Sequence, residues 1–242
     1  MNFNNNNKSV FEDDRTVVRY AKSNSSIGLW KSEEFIFEKY FENKNFKLLD
    51  IGCGTGRTTF GLVKKGFTNI LGVDISSNMI DTAKYLAKND NINVRFETAN
   101  ASKLNYTYNS FEYALFSFNG WPGIPSEEGR INALNEIYRV LKPGGIFIFS
   151  TIIRNEETYI QPEEETILKC NEFKIKKYGD HIFLNENNLC DFMHLYSYQE
   201  LIKVLNKTKF TILEIIDRDK NFTENYKVKE FANNTHFIIL KK

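Results

Sequence analysis

The chain has 242 residues, 41% hydrophobic and 26% charged, a composition that fits one soluble globular domain with an elaboration and excludes a collagen-like or disordered chain. Thirty-two basic side chains against 31 acidic ones leave a formal charge of +1, which disfavours a protein that holds long nucleic acid chiefly through phosphates. Cys53, Cys170 and Cys190 form no C-x-x-C pair and predict reduced thiols; with no signal-like start and no apolar run that could span a membrane, the expected location is the cytoplasm.

In chain order, residues 1–12 read as a frayed polar tail, and Ser32 is placed to cap a helix over Glu33 to Phe41. From Phe46 the pattern becomes regular. Lys47 to Ile51 predicts a strand, Thr55 to Lys65 a helix, Asn69 to Val73 a strand and Asn78 to Lys88 a helix. Val94 to Thr98 and Tyr113 to Phe118 follow as strands, and Ile131, Leu134, Ile137 and Leu141 mark one helix face that stops at Pro143, Gly144 and Gly145. Ile146 to Thr151 is a fifth strand. Arg154 to Leu195 breaks this rhythm; Ile167 to Lys176 and His181 to Leu184 read as antiparallel strands joined at Tyr178 to Asp180. Ser197 and Glu200 form a capping box, and Phe210 to Ile216 and Thr235 to Leu240 close the sheet.

Strands alternating with helices predict a doubly wound α/β sheet, because parallel strands need crossovers and right-handed crossovers place helices on both faces. The expected division is an N-terminal tail and helical segment over 1–45, a nucleotide-type core over 46–153, an inserted cap over 154–195, and completion of the sheet over 196–242.

The sharpest signal is LLDIGCGTGRT from Leu48 to Thr58, a buried strand running through Gly52, Gly54 and Gly56 into a helix. Glycine permits positive φ and lets a ligand approach the backbone, and the helix start offers free N–H groups. The spacing is neither that of a Walker loop nor the dinucleotide G-x-G-x-x-G. Asp74, 22 residues after Gly52, ends the next strand, where a carboxylate can accept from both hydroxyls of a ribose.

With D-x-G-x-G-x-G at Asp50 to Gly56, the acid at Asp74, NASKL at Asn100 to Leu104, SFEYALFSFNGW at Ser110 to Trp121 and RVLKPGGIFIFS at Arg139 to Ser150, the chain resembles the class I S-adenosylmethionine-dependent methyltransferases. The resemblance implies a seven-stranded sheet in the order 3-2-1-4-5-7-6, strand 7 antiparallel, with the cofactor over the carboxyl ends of strands 1 to 4. It implies that Gly52, Cys53, Gly54 and Gly56 face the methionine part, that Asp50 lies near its ammonium, and that Asp74 takes the ribose. Ile75 or Met79 then flanks the adenine, beside Asn100 and Ala101, and Phe118 flanks the methyl donor; Asn100 stands where the family usually has aspartate.

On the acceptor side, Asn119, Trp121, Tyr20 and Trp30 are candidate pocket residues, and the strand-4 FNGW lacks the [ND]-P-P-[YF] of family members that methylate nucleobase or glutamine amines. His194, at the junction before the capped helix, is the candidate base, with Tyr196 behind it. No cluster has metal-ligand spacing. The expected activity is methyl transfer from S-adenosylmethionine, leaving S-adenosylhomocysteine, to oxygen or nitrogen of a small-molecule acceptor. The alternatives are an RNA or protein acceptor, favoured by an open cap with Lys169, Lys174, Lys176 and Lys177 on one basic face, and a cofactor-binding module without turnover.

Overall fold

The structure, a computed structural model, describes residues 8–242. Helices α1 (Lys8–Glu12), α2 (Asp14–Ser26) and α3 (Lys31–Tyr40) precede the first strand. Strands and helices then alternate as β1 (Leu48–Ile51), α4 (Arg57–Lys64), β2 (Ile70–Asp74), α5 (Ser77–Asn89), β3 (Arg95–Thr98), β4 (Phe111–Phe116), α6 (Glu127–Val140) and β5 (Leu141–Thr151). After them come α7 (Glu164–Lys169), β6 (Asp180–Leu184), β7 (Cys190–His194), α8 (Tyr198–Leu205), β8 (Thr211–Asp217), α9 (Arg218–Asn221), α10 (Tyr226–Phe231) and β9 (His236–Lys241).

The main sheet has the order β3-β2-β1-β4-β5-β9-β8, which is the order expected from the resemblance. β1 runs parallel to β2 and β4, and β9 runs antiparallel to β5 and β8. Every residue of β1 and β2 is buried, as helices on both faces require. Alternate residues feed two cores: Leu49, Phe147 and Phe149 pack on the α6 and α8 side, whereas Leu48, Ile148 and Ile239 pack with Phe37 of α3 on the other. Among the described residues no helix is long and apolar enough to cross a membrane, and no group of side chains could hold a metal ion.

Four local expectations are corrected. Residues 8–12 are not frayed: they form α1, and the Glu12 carboxylate accepts the N–H groups of Ser77 and Asn78, capping α5, while residues 1–7 lie outside the described residues. Ser32 does not cap α3. Trp30 does, its N–H donating to Glu33, and the Ser32 N–H is taken by Glu224.

The region before the hairpin is not a strand either. Glu163 to Glu165 place acid at a helix start, and α7 follows; the pairing joins β6 to β7, with Ile182 opposite Phe192. Its turn lies at Asn185 to Leu189, where the Asn185 side-chain carbonyl accepts from the N–H groups of Asn187 and Leu189.

The fourth correction concerns the thiols. Cys170 and Cys190 are joined by a disulfide, and only Cys53 is free and buried. The end of α7 and the start of β7 meet in a small apolar cluster with Phe173, Ile182 and Phe192, a proximity that chain spacing cannot reveal. The crosslink closes a loop with a sequence separation of 20. Removing it as Cys170→Ser/Cys190→Ser should cost roughly 3 kcal/mol of local stability. Hydrogen exchange should then quicken across residues 164–194 and not in β1, β4 and β5; unchanged exchange would show that the crosslink constrains nothing.

Candidate active site

β1 delivers the chain into the glycine loop at the carboxyl edge of the sheet. Gly52, Gly54 and Gly56 have φ of +62°, +55° and +100°, a region costly for other residues. A Cβ at Gly52 would stand 2.6 Å from the Phe116 ring, so Gly52 is required by packing. At Gly54 the space is open, its nearest neighbour being the Tyr20 ring at 3.7 Å. Gly54 is thus the place where a ligand can lie against the backbone.

Asp74 ends β2 beside this loop. Its carboxylate accepts from Gly54 N at 2.9 Å and from Ser76 N at 2.9 Å, and burial raises its pKa despite those bonds. Each oxygen keeps a further lone pair. At the tip of β4, Phe118 and Asn119 both adopt positive φ, +52° and +60°, a pair of strained non-glycine residues of the kind that cluster at functional sites. The Phe118 ring stacks on Phe231 at 4.8 Å and meets Tyr20 edge-on at 6.1 Å.

These groups share a cavity of about 490 Å³. Its floor is the strand tips and the glycine loop; α1 and α2 form one wall, the β6–β7 hairpin another, and Phe231 and Asn233 close a third side. Two contacts bind α2 to the hairpin: Arg19 pairs with Glu186 at 2.8 Å, and Asn187 donates to Thr16 at 3.3 Å.

Of the residues expected at the cofactor, Gly52, Cys53, Gly54 and Asp74 line the cavity, as do Ile75, Met79, Asn100, Ala101 and Phe118. Asp50 and Gly56 do not. Asp50 lies fully buried behind the loop, where Thr58 and Thr59 donate to its Oδ2 at 2.7 and 2.6 Å, and burial pushes its pKa up to about 6. It braces the start of α4 against β1. The Gly56 hydrogen faces the Phe60 ring.

On the acceptor side, Tyr20 and Asn119 line the cavity, whereas Trp121 and Trp30 are core residues. The Trp121 indole donates to the Arg130 carbonyl at 2.9 Å and stacks on Tyr196 at 5.0 Å; Trp30 packs against Phe118 and Phe237 beneath α3. His194 and Tyr196 are likewise withdrawn. His194 is fully buried, with Nδ1 2.7 Å from Asp180 Oδ1 and Nε2 3.1 Å from Glu200 Oε1, so both nitrogens are occupied by carboxylates. Tyr196 accepts from Arg130 Nε at 2.9 Å, and burial raises its pKa. Neither can meet an acceptor in this arrangement.

Three cavity residues had no sequence signal. Arg57, the first residue of α4, donates to Glu33 at 2.6 and 2.7 Å, and Glu33 also accepts from Ser117. Arg19 and Asp191 complete the set, and burial pushes Asp191 up to about 6. Local pattern is silent about Asp191, since only the hairpin register aims it.

A family model described as a methyltransferase domain matches residues 48–145, the span from β1 through the glycine loop to β5. Those residues form a methyltransferase domain, in a sheet whose strand order is the one implied by the resemblance to class I S-adenosylmethionine-dependent enzymes. The chain is 34% identical over 140 residues to the ubiquinone/menaquinone biosynthesis C-methyltransferase UbiE of Rickettsia felis, covering 55% of this chain and 54% of that one. It is 27% identical over 210 residues to the sterol 24-C-methyltransferase of Kluyveromyces lactis, covering 85% and 52%. The chain thus spans about half the length of the curated relatives it matches. The crystal structure of a methyltransferase from Methanosarcina mazei superposes with a TM-score of 0.69 at 23% identity, over 89% of this chain and 99% of that one, a likeness of fold.

The methyltransferase core fits S-adenosylmethionine on its own geometry: an open cradle at Gly54, a carboxylate with spare lone pairs at Asp74, and a helix start between them. Gly54→Val adds a branched side chain at φ +55° and fills the cradle. It is expected to abolish S-adenosylhomocysteine binding by calorimetry with the circular dichroism unchanged; normal binding would remove Gly54 from the ligand's path.

Proposed function

We propose that the chain transfers the methyl group of S-adenosylmethionine to a small-molecule acceptor, at oxygen or nitrogen, inside the cavity between the glycine loop and the β6–β7 hairpin. The observation that carries this reading is that one cavity is lined by the glycine loop together with α1, α2 and the hairpin. The cofactor supplies an electrophilic methyl on a sulfonium. The protein has to hold an acceptor lone pair in line with that carbon, at about 3 to 3.5 Å, and exclude water.

Asp74 would hold the ribose, Ile75 and Met79 the adenine, with Asn100 and Ala101 beside it. Phe118, Tyr20 and Asn119 would surround the transfer site, where aromatic faces favour a cation. We read residues 154–195 as the cap and, of the N-terminal segment over 1–45, the described residues 8–45 as the opposing wall.

The curated relatives are named as carbon methyltransferases, which makes carbon the competing acceptor atom. Against an RNA or protein acceptor, one of the four cap lysines, Lys177, is paired with Glu200 and Glu127.

The test is direct. The protein is incubated with S-adenosylmethionine and a panel of phenols, alcohols, amines, N-heterocycles and activated carbon acids, and S-adenosylhomocysteine and the methylated product are measured together. Product at oxygen or nitrogen supports the reading; product at carbon alone overturns the atom, and tight cofactor binding without any product favours a module without turnover.

A further inference from the structure

We propose that Asp191 takes the acceptor's proton, and hence that the acceptor presents a neutral O–H or N–H, not an anionic end, to the hairpin wall of the cavity; this rests on the cavity being the methyl-transfer site. The register of the hairpin carries the inference. Asp191 stands opposite Phe183, and Phe192 opposite Ile182. Opposed residues share a face and neighbours alternate. Phe192 and Ile182 pack with Cys170 and Phe173, which fixes the closed face. Asp191 and Phe183 therefore turn to the other face; both line the cavity, whose hairpin wall also includes Leu184, Phe192 and Met193.

Asp191 is a carboxylate without a counter-charge. Its Oδ1 accepts from Phe192 N at 2.7 Å, and among the described residues no lysine, arginine or histidine forms an ion pair with it. The cations that line the same cavity have carboxylate partners of their own, Lys8 in Glu12 at 3.6 Å and Arg57 in Glu33 at 2.6 Å. Arg19 of α2 is paired with Glu186 of the hairpin turn, Tyr20 lies within electrostatic reach of both Asp191 and Asp74, and the Glu186 charge adds to the burial that raises Asp191. An anionic acceptor end would meet repulsion here. A proton donor completes the site, and a carboxylate held near 6 is ionised at neutral pH yet basic enough to accept in the transition state.

The step balances. The acceptor lone pair forms a bond to the methyl carbon, the carbon–sulfur bond breaks with its electron pair staying on sulfur, and the acceptor proton passes to Asp191. The sulfonium charge and the carboxylate charge disappear together, leaving thioether, methylated product and carboxylic acid.

The test uses the wild-type protein with bound S-adenosylhomocysteine and two probes of like shape, phenol and toluene, titrated by NMR at neutral pH. Phenol is expected to bind about tenfold or more tightly than toluene, the preference due to a charge-assisted hydrogen bond. Asp191→Leu keeps a branched side chain without an acceptor oxygen and should erase the preference while S-adenosylhomocysteine affinity is unchanged. Equal affinities in the wild type, binding of neither probe, or a preference that survives in Asp191→Leu overturns the proposal. With a hydroxyl acceptor from the panel, wild-type kcat/KM should rise with pH through about 6. Asp191→Asn should lose that limb and about 10²- to 10⁴-fold in rate; a limb retained in Asp191→Asn also overturns it. Failure of the wild type to bind S-adenosylhomocysteine is a separate result, against the cofactor reading and not against Asp191.

Discussion

Glu33→Ala is expected to destabilise the fold by about 3–5 kcal/mol, the largest stability effect of any single substitution near the site. Glu33 is fully buried and accepts from Arg57 Nη1 and Nη2 at 2.6 and 2.7 Å, from the Trp30 N–H at 3.0 Å and from Ser117 at 2.7 Å. Burial alone would lower the Arg57 pKa; the adjacent Glu33 charge outweighs it and raises the pKa. Truncation strands a buried guanidinium with the Gly28 carbonyl as its remaining hydrogen-bond partner, above the Trp30 ring. It also frees the Trp30 N–H at the start of α3, while the N–H groups of Lys31 and Ser32 stay on Glu224. For a chain of this size, a loss of that order lowers Tm by roughly 6 to 20 °C. Glu33→Gln keeps the shape and loses the charge, so it should fall between wild type and alanine. A Tm for Glu33→Ala within experimental error of wild type would mean that the pair contributes no net stability.

The pair also explains how the N-terminal helices reach the site. Arg57 opens α4 directly after the glycine loop and lines the cavity, so its bond to Glu33 ties α3 to the loop that meets the cofactor. Lower stability and weaker S-adenosylhomocysteine binding should therefore appear together in Glu33→Ala, whereas Gly54→Val should lose binding alone. That contrast separates a scaffold residue from one in the ligand's path.

How much of this could be read from the sequence follows from how local each determinant is. The β1 strand, the glycine loop and Asp74 were legible because an apolar run, three alternating glycines and a strand-end acid are determined within a short stretch of chain, and their mutual position follows from the parallel crossover. The hairpin was not. Its register depends on the Asn185 side chain folding back onto Asn187 and Leu189 and on a disulfide between residues far apart in sequence.

A shift of one residue in a strand reverses every side chain. His194 shares its parity with Phe192 and turns to the closed face, where Asp180 and Glu200 hold it, whereas Asp191 turns to the cavity. The histidine was the conspicuous candidate by residue type, and register decided otherwise. Trp121 and Trp30 depart from the pocket role expected of them for a related reason: large aromatic side chains near a sheet edge can cover the core or wall a pocket, and only tertiary packing chooses. Both indoles are essentially inaccessible.

Asp74→Ala should weaken S-adenosylmethionine binding by tenfold or more, the largest effect expected on affinity from losing one side-chain function. Two charge-assisted bonds to ribose hydroxyls are each worth about 1.5 to 3 kcal/mol, and about 1.4 kcal/mol is one decade of affinity. The carboxylate has a second task, since it holds the N–H groups of Gly54 and Ser76, and alanine releases both. A bare affinity loss would therefore not separate ribose recognition from support of the loop. A ligand change does: S-adenosylhomocysteine lacking the ribose 2′-hydroxyl should bind wild type more weakly than the parent compound, and Asp74→Ala should bind the two alike. Asp74→Asn sharpens the comparison, because its amide presents one acceptor and one donor, and whichever way it turns one N–H of the loop or turn faces another donor. It should lose affinity nearly as far as alanine despite its matching shape. If Asp74→Ala still distinguishes the two ligands, the ribose contact belongs to another residue and Asp74 serves only to hold Gly54 in place.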